Sequence, residues 1–295
     1  MSQVKTNTLS KTRVYVKDFV ELTKFRLGAL VIFSSLVSLY VVSAGQAIMS
    51  TYILLGLGGF LVSGGASALN EVFEKDYDAM MERTKDRPIP AGRMTSAEGL
   101  FYAGLMSLGG ISLLAMINPL TAFLSTLSLI LYAFVYTPFK RFSNIAVLVG
   151  AIPGAFPLLI GGVAFHGAIT MDAIYLFGMQ FFWQFAHFWA IAWIGDKDYK
   201  KAGYLLLPFD GEKTKKVGLI SMWTCVPLIL ISLLPFRNNL NSIMALIIVT
   251  LLGAFFMYRS YELYRDSNDN AARRLMYASF IYLPVVLLAY SLNVM

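Results

Sequence analysis

The chain is 295 residues long, 57% hydrophobic and only 14% charged, with 24 basic against 17 acidic residues and a formal net charge of +7. Apolar runs recur from Leu27 almost to the C-terminus, which excludes a soluble globular domain because too much hydrocarbon would face water. Cys225 is the one cysteine, which excludes an intramolecular disulfide and leaves a small apolar filler.

The first 24 residues form a polar, basic extension without the apolar stretch of a secretory signal, and residues 14–25 (VYVKDFVELTKF) read as an interfacial amphipathic helix. A bilayer-spanning helix needs roughly 20 mostly apolar residues. Breaking the apolar runs at polar and Gly/Pro stretches gives nine spans, near 26–44, 51–69, 98–117, 120–137, 143–164, 172–194, 217–235, 239–258 and 275–294. The third and fourth are separated mainly by Asn118 and Pro119, without which they read as one kinked unit. The expected fold class is all-α, a polytopic membrane bundle forming a single domain over 1–295.

With the N-terminus in the cytoplasm, every one of the 24 basic residues except Arg237 falls in an inner loop. One span more or fewer scrambles that sorting, so the positive-inside rule supports nine helices and an outside C-terminus. The extension is short and Arg-poor for a mitochondrial transit segment, which makes a bacterial plasma membrane the simpler reading. The net charge therefore reflects orientation, and nucleic acid is not implied as a partner.

Two inner loops hold the chemistry. The first, LNEVFEKDYDAMMERTKDRPIPAGR, begins at the end of the second span. At about 100° per residue, Asn70, Glu74 and Asp78 share a sector of roughly 80° on one helical face. Two carboxylates a turn apart near hydrocarbon repel each other unless a cation lies between them, and an all-oxygen donor set suits Mg²⁺. Asp76 points away from that face. Arg83, Lys85 and Arg87 follow as fixed positive charge able to hold phosphate oxygens, which together describes a diphosphate clamp. The plainer alternative is a solvated loop whose bases enforce topology and whose acids pair with them. Pro88, Pro90 and Gly92 close the segment as a rigid turn.

The second loop, IGDKDYKKAGYLLLPFDGEKTKK, follows the sixth span and carries Asp196, Asp198, Lys200 and Lys201. Two acid-and-base loops four spans apart read as halves of one divided site and hint at internal duplication. His187, inside the sixth span, stands either as a ligand, a proton acceptor or an interhelical hydrogen-bonder. His166 lies near the outer surface and reads as structural.

These motifs resemble the membrane-embedded UbiA-type prenyltransferases. NEVFEKDYDAMMERTKDRP matches that superfamily's asparagine and paired-acid motif, and Glu74 followed by DYDAMMERTKDRP is similar to the haem-farnesylating protoheme IX farnesyltransferases. LTKFRLGALVIFSS, YTPFKRFSNIAVLVGAIPGAFPLLIGG from Tyr136 and WQFAHFWAIAWIGDKDYKKAGYLLLP from Trp183 agree, so the resemblance covers most of the chain. It implies farnesyl diphosphate as donor and haem B as acceptor, giving haem O for a downstream haem A synthase or terminal oxidase. It also implies nine helices around a membrane-open cavity. By motif position, Asn70, Glu74, Asp78 and Asp198 are expected to hold Mg²⁺ of unknown count. Arg83, Arg87 and Lys201 are expected to contact phosphate, and Lys140 and Arg141 phosphate or haem propionate. His187 stands for haem ligation, porphyrin orientation or proton acceptance. Tyr136, Phe182, Trp183, Phe188, Trp189 and Trp193 are candidate faces for a carbocation. Here Asp196 and Asp198 stand two apart where quinone-directed members have aspartates four apart, and Ala202 fills the later position. Phe25 and Ala186 replace prolines of the family pattern. The alternatives are prenylation of a quinone precursor, or transport of an anionic lipid or metabolite.

Overall fold

The structure, a computed structural model, describes residues 15–209, 211–237 and 241–294, so the extension before residue 15 lies outside it. The described residues contain helices and no strand. Helix α1 covers residues 15–22. Its Tyr15, Val16 and Val20 are exposed, whereas Leu22 is fully buried beside Ile89 and Met94. Asp18 accepts a hydrogen bond from Arg93 Nε at 2.9 Å, so α1 is tied to the first charged loop. An outward apolar face with an anchored inner one fits the interfacial helix expected from sequence.

The bundle continues as α2 (Phe25–Val42), α3 (Met49–Phe73), the one-turn α4 (Lys75–Asp78), α5 (Ser96–Ala115) and α6 (Pro119–Ile130). A π-helical turn, Leu131–Tyr136, joins α6 to α7 (Thr137–Phe139). Then come α8 (Ala146–His166), α9 (Met171–Ile194), α10 (Asp196–Lys201), α11 (Lys215–Leu233), α12 (Ile243–Asp266) and α13 (Asp269–Val294). Among the described residues, 8 helical stretches are long and apolar enough to cross a membrane. The remaining expected span is α9, a helix of 24 residues that carries Asp172, Gln180, Gln184 and His187 and so lacks the same apolarity. Asn118 separates α5 from α6 by capping: its Oδ1 accepts from Thr121 N at 2.8 Å, with Pro119 as the first helical residue.

One apolar core gathers side chains of α9, α11, α12 and α13, and a second gathers α2, α3, α6 and α8. Helix α8 lies between them and is the most enclosed span, with 78% of its apolar window buried. Pro157 cannot donate to the Pro153 carbonyl, and Ser128 Oγ does so instead at 3.2 Å. Helices α3 and α5 approach backbone to backbone. A Cβ added at Gly110 would lie 2.7 Å from the Gly58 carbonyl oxygen, so this crossing needs glycine.

Helices α3 and α9 end alike. Glu74 (φ −100°, ψ 8°) interrupts the first before α4, and Gly195 (φ −87°, ψ 6°) interrupts the second before α10. The two ends face each other, with Arg83 N donating to Asp198 Oδ2 at 3.3 Å.

Candidate active site

The interruption at Glu74 leaves the four-residue spacing intact, because Glu74 N still donates to Asn70 O (3.0 Å) and Asp78 N to Glu74 O (2.7 Å). Asn70, Glu74 and Asp78 are therefore brought together, all buried, on the wall of a cavity of about 690 Å³. Asn70 Nδ2 donates to Glu74 Oε2 at 2.8 Å and to Thr137 Oγ1 at 3.1 Å. Asp76 is exposed, as its helical phase predicts.

Each acid is matched by a base. Lys140 Nζ lies 2.5 Å from Glu74 Oε1, which also accepts from Tyr204 Oη at 3.0 Å. Arg87 Nη1 reaches Asp78 Oδ2 at 2.6 Å. Lys24 Nζ donates to Asn70 Oδ1 at 2.7 Å. Burial alone would raise the affinity of Glu74 for a proton, but Lys140, Lys24 and the Asn70 amide together outweigh it and hold the carboxyl below its ordinary range. Each of the two carboxylates thus has a base within ion-pair distance. Burial and the neighbouring Glu74 carboxylate keep the Tyr204 phenol protonated. Burial, reinforced by the Arg87 guanidinium, pushes the Lys24 ammonium down to about 7.

Sequence reasoning placed Lys24 only among the topology-setting bases. Its left-handed backbone (φ 48°, ψ 51°), unusual for a lysine, turns the chain from α1 into α2. A constrained base at a helix entry beside a motif asparagine was the available signal. Glu71, fully buried, was missed too: its Oε1 accepts from Ile89 N at 3.0 Å and fixes the Pro88–Pro90 turn that carries Arg87.

The π-helical turn before α7 sets Tyr132 and Tyr136 in the cavity wall with ring centres 5.6 Å apart. Lys140 Nζ stands 5.0 Å from the Tyr136 ring centre. The space for that ring comes from Gly150, where a Cβ would lie 2.6 Å from it.

Arg83 also lines the cavity, with Nη2 on Tyr199 Oη at 3.3 Å. Asp198 and Lys201 pair with each other at 3.4 Å behind Arg83, outside the cavity wall. Arg141 borders a smaller adjoining pocket that shares Glu74, with its guanidinium on Tyr77. Lys85 pairs with Glu82 at the surface.

Deeper in the bundle the same cavity is lined by Trp183, His187 and Phe188, while Phe182, Trp189 and Trp193 lie off it. Trp193 Nε1 donates to Asp269 Oδ1 at 3.0 Å, a packing role. His187 stacks on Trp183, with ring centres 4.5 Å apart. Its Nδ1 lies 2.7 Å from Ser279 Oγ, whose own hydrogen goes to Met276 O at 2.5 Å. With the Ser279 hydroxyl directed at Met276 O, the tautomer that satisfies both contacts has the proton on Nδ1 and a lone pair on Nε2. His166 is exposed at the end of α8, and Cys225 is buried in the packing of α11 against α12.

Among the described residues, no three His, Cys, Asp or Glu side chains gather around one point. The donors that do converge are hard oxygens of Asn70, Glu74 and Asp78, which suit Mg²⁺ rather than a softer metal.

The profile described as the UbiA prenyltransferase family matches residues 31–283. A protoheme IX farnesyltransferase of Christiangramia forsetii is 38% identical over 296 residues, covering 97% of this chain and 98% of its own. One of Flavobacterium psychrophilum is 39% identical over 295 residues, covering 97% of both chains. Among solved structures, a digeranylgeranylglyceryl phosphate synthase superposes with a TM-score of 0.79 at 19% identity, over 95% of this chain and 98% of its own. A UbiA homologue from Archaeoglobus fulgidus bound to GPP and Mg²⁺ gives 0.63 at 14%, over 93% and 99%.

Proposed function

The chain belongs to the UbiA prenyltransferase family, and on that premise we propose that it transfers the farnesyl group of farnesyl diphosphate to a vinyl group of haem B, giving haem O. One observation carries the reading: a single cavity runs from the buried cluster of Asn70, Glu74, Asp78, Lys140 and Arg87 to the aromatic and imidazole wall at Trp183 and His187. A polar end fits a diphosphate and an apolar aromatic end fits a prenyl chain and a porphyrin.

Ionising an allylic diphosphate separates a pyrophosphate anion from a delocalised cation. Lys24, Lys140 and Arg87, now paired with Asn70, Glu74 and Asp78, can transfer their hydrogen bonds to the diphosphate oxygens, with Arg83 closing from the loop. That frees Asn70, Glu74 and Asp78 to hold Mg²⁺, which when bound supplies Lewis-acid neutralisation of the leaving group's charge. Bases and acids thus exchange partners, so no buried charge is left unmatched. Asp198 acts through Arg83, whose backbone it fixes, and Lys201 steadies Asp198. The Tyr132 and Tyr136 rings shield the allylic cation by cation–π contact, worth about 0.5–2 kcal/mol each. Arg141, next to Glu74 in the adjoining pocket, is positioned for a haem propionate, and the Nε2 lone pair of His187 receives a proton near the acceptor.

We place the N-terminus and both charged loops in the cytoplasm of a bacterial plasma membrane, with the product passing to a haem A synthase or terminal oxidase assembly. Incubating the purified protein with farnesyl diphosphate, Mg²⁺ and either haem B or 4-hydroxybenzoate tests the acceptor. Farnesylated haem alone is the expected product; a prenylated benzoate with unmodified haem would overturn the reading.

A further inference from the structure

Three polar side chains interrupt the deep apolar wall of the cavity. Gln180, Gln184 and His187 stand at i, i+4 and i+7 on α9, within a sector of about 60°, and all three line the cavity. Both glutamine amide groups are turned toward α8. Gln180 Nε2 donates to Gly154 O at 2.9 Å, and Gln184 Nε2 donates to Ala151 O and to Gln180 O, each at 3.1 Å. His187 Nδ1 is held against Ser279 Oγ at 2.7 Å. These contacts consume donors and leave acceptors. Gln180 is only 7% exposed, and its Oε1 is buried with no donor on it among the described residues. An unmatched carbonyl oxygen at membrane depth is costly, and the mate it lacks is an O–H or N–H group. Gln180 and, two helical turns further along α9, His187 line the same cavity, and their acceptors are the polar partners a buried water there would use.

We propose that Gln180 and Gln184 are positioning residues for the water that ends the reaction, with His187 as its base. The proposal rests on the haem reading above. The terminal vinyl carbon bonds to farnesyl C1 as the C–O bond to diphosphate breaks, its electron pair leaving with the diphosphate. Positive charge then sits on the vinyl carbon next to the porphyrin. The held water bonds to that carbon through oxygen, and its surplus proton passes to His187 Nε2, giving the hydroxyl. Where no water is held, the cation instead loses a proton from the adjacent carbon and becomes an alkene. The glutamines therefore decide which product forms, while the diphosphate end decides whether transfer begins.

The test is product partition, read by mass spectrometry of haems formed by the purified enzyme from haem B and farnesyl diphosphate in heavy-oxygen water. Gln180→Met keeps length and removes the acceptor, Gln184→Met does the same one turn on, and Gln180→Glu restores an oxygen. Each Met variant should lower the ratio of hydroxylated to dehydrated product roughly tenfold, about the worth of one hydrogen bond, with total farnesyl transfer less affected. Gln180→Glu should recover the ratio, and the hydroxyl should carry solvent oxygen. An unchanged ratio in both Met variants, whatever their rate, would overturn the water site alone. Unmodified haem from the wild-type enzyme would overturn the acceptor reading and this proposal with it.

Discussion

Glu74 and Asp78 differ in what their removal leaves behind. Truncating Glu74 to Ala strands Lys140, itself only 8% exposed, and an uncompensated buried charge of that kind costs about 3–5 kcal/mol. Lost activity in Glu74→Ala would therefore mix chemistry with instability. Asp78→Asn is cleaner, because the shape is kept and Arg87 retains 22% side-chain exposure through which it can be solvated. We expect farnesyl transfer to fall by roughly 10²-fold or more, with the unfolding midpoint in detergent close to wild type. A fall in midpoint matching the loss of rate would point to misfolding instead. If Lys24 binds the diphosphate anion as proposed, Lys24→Met should raise the KM for farnesyl diphosphate more than it lowers kcat; the opposite split in steady-state kinetics would assign it to the chemical step. The Asn70, Glu74, Asp78 triad was legible because its members are spaced by helical turns. Lys24, Thr137 and Tyr204 were not, because they reach the triad from 46, 67 and 130 positions away, and such convergence depends on how whole helices pack.

Helices α3 and α9 each deliver a motif by stopping short and continuing as a brief second helix. Their C-terminal ends carry partial negative charge, which favours the lysines and arginines gathered between them. The π-helical turn of span four adds a residue to the local register and so turns Tyr132 and Tyr136 into the cavity wall. Composition could locate that span but not this register shift, which no run of apolar residues encodes. Gly150 is the matching feature on α8. Gly150→Ala should displace the Tyr136 ring, draw Lys140 from Glu74 and destabilise by about 1–3 kcal/mol, with a larger proportional loss of activity than of stability. Denaturant titration beside the rate assay checks this, and an Ala variant of normal rate would show that the ring need not stay in place.

At the scale of the whole molecule, span positions were readable because about 20 apolar residues are needed for each crossing and the inner loops are basic. Helix α9 is the informative exception. It carries the polar residues of the deep cavity wall, which is why its apolar signal is weaker than that of the other spans. The orientation proposed from the distribution of basic residues is directly testable. In a Cys225→Ser background, a cysteine at Ala168 should react with an impermeant thiol reagent from outside, and one at Glu212 only after the membrane is opened; the reverse pattern would invert the topology. The central claim is that a single cavity ionises farnesyl diphosphate at one end and farnesylates haem B at the other. Its most direct test is to express the chain in a host lacking haem O synthesis and analyse the extracted haems by mass spectrometry, with Asp78→Asn as control. Haem O from the wild-type chain, reduced to a trace in the variant at equal membrane levels, is the predicted result. Well-inserted protein with unmodified haem would contradict it.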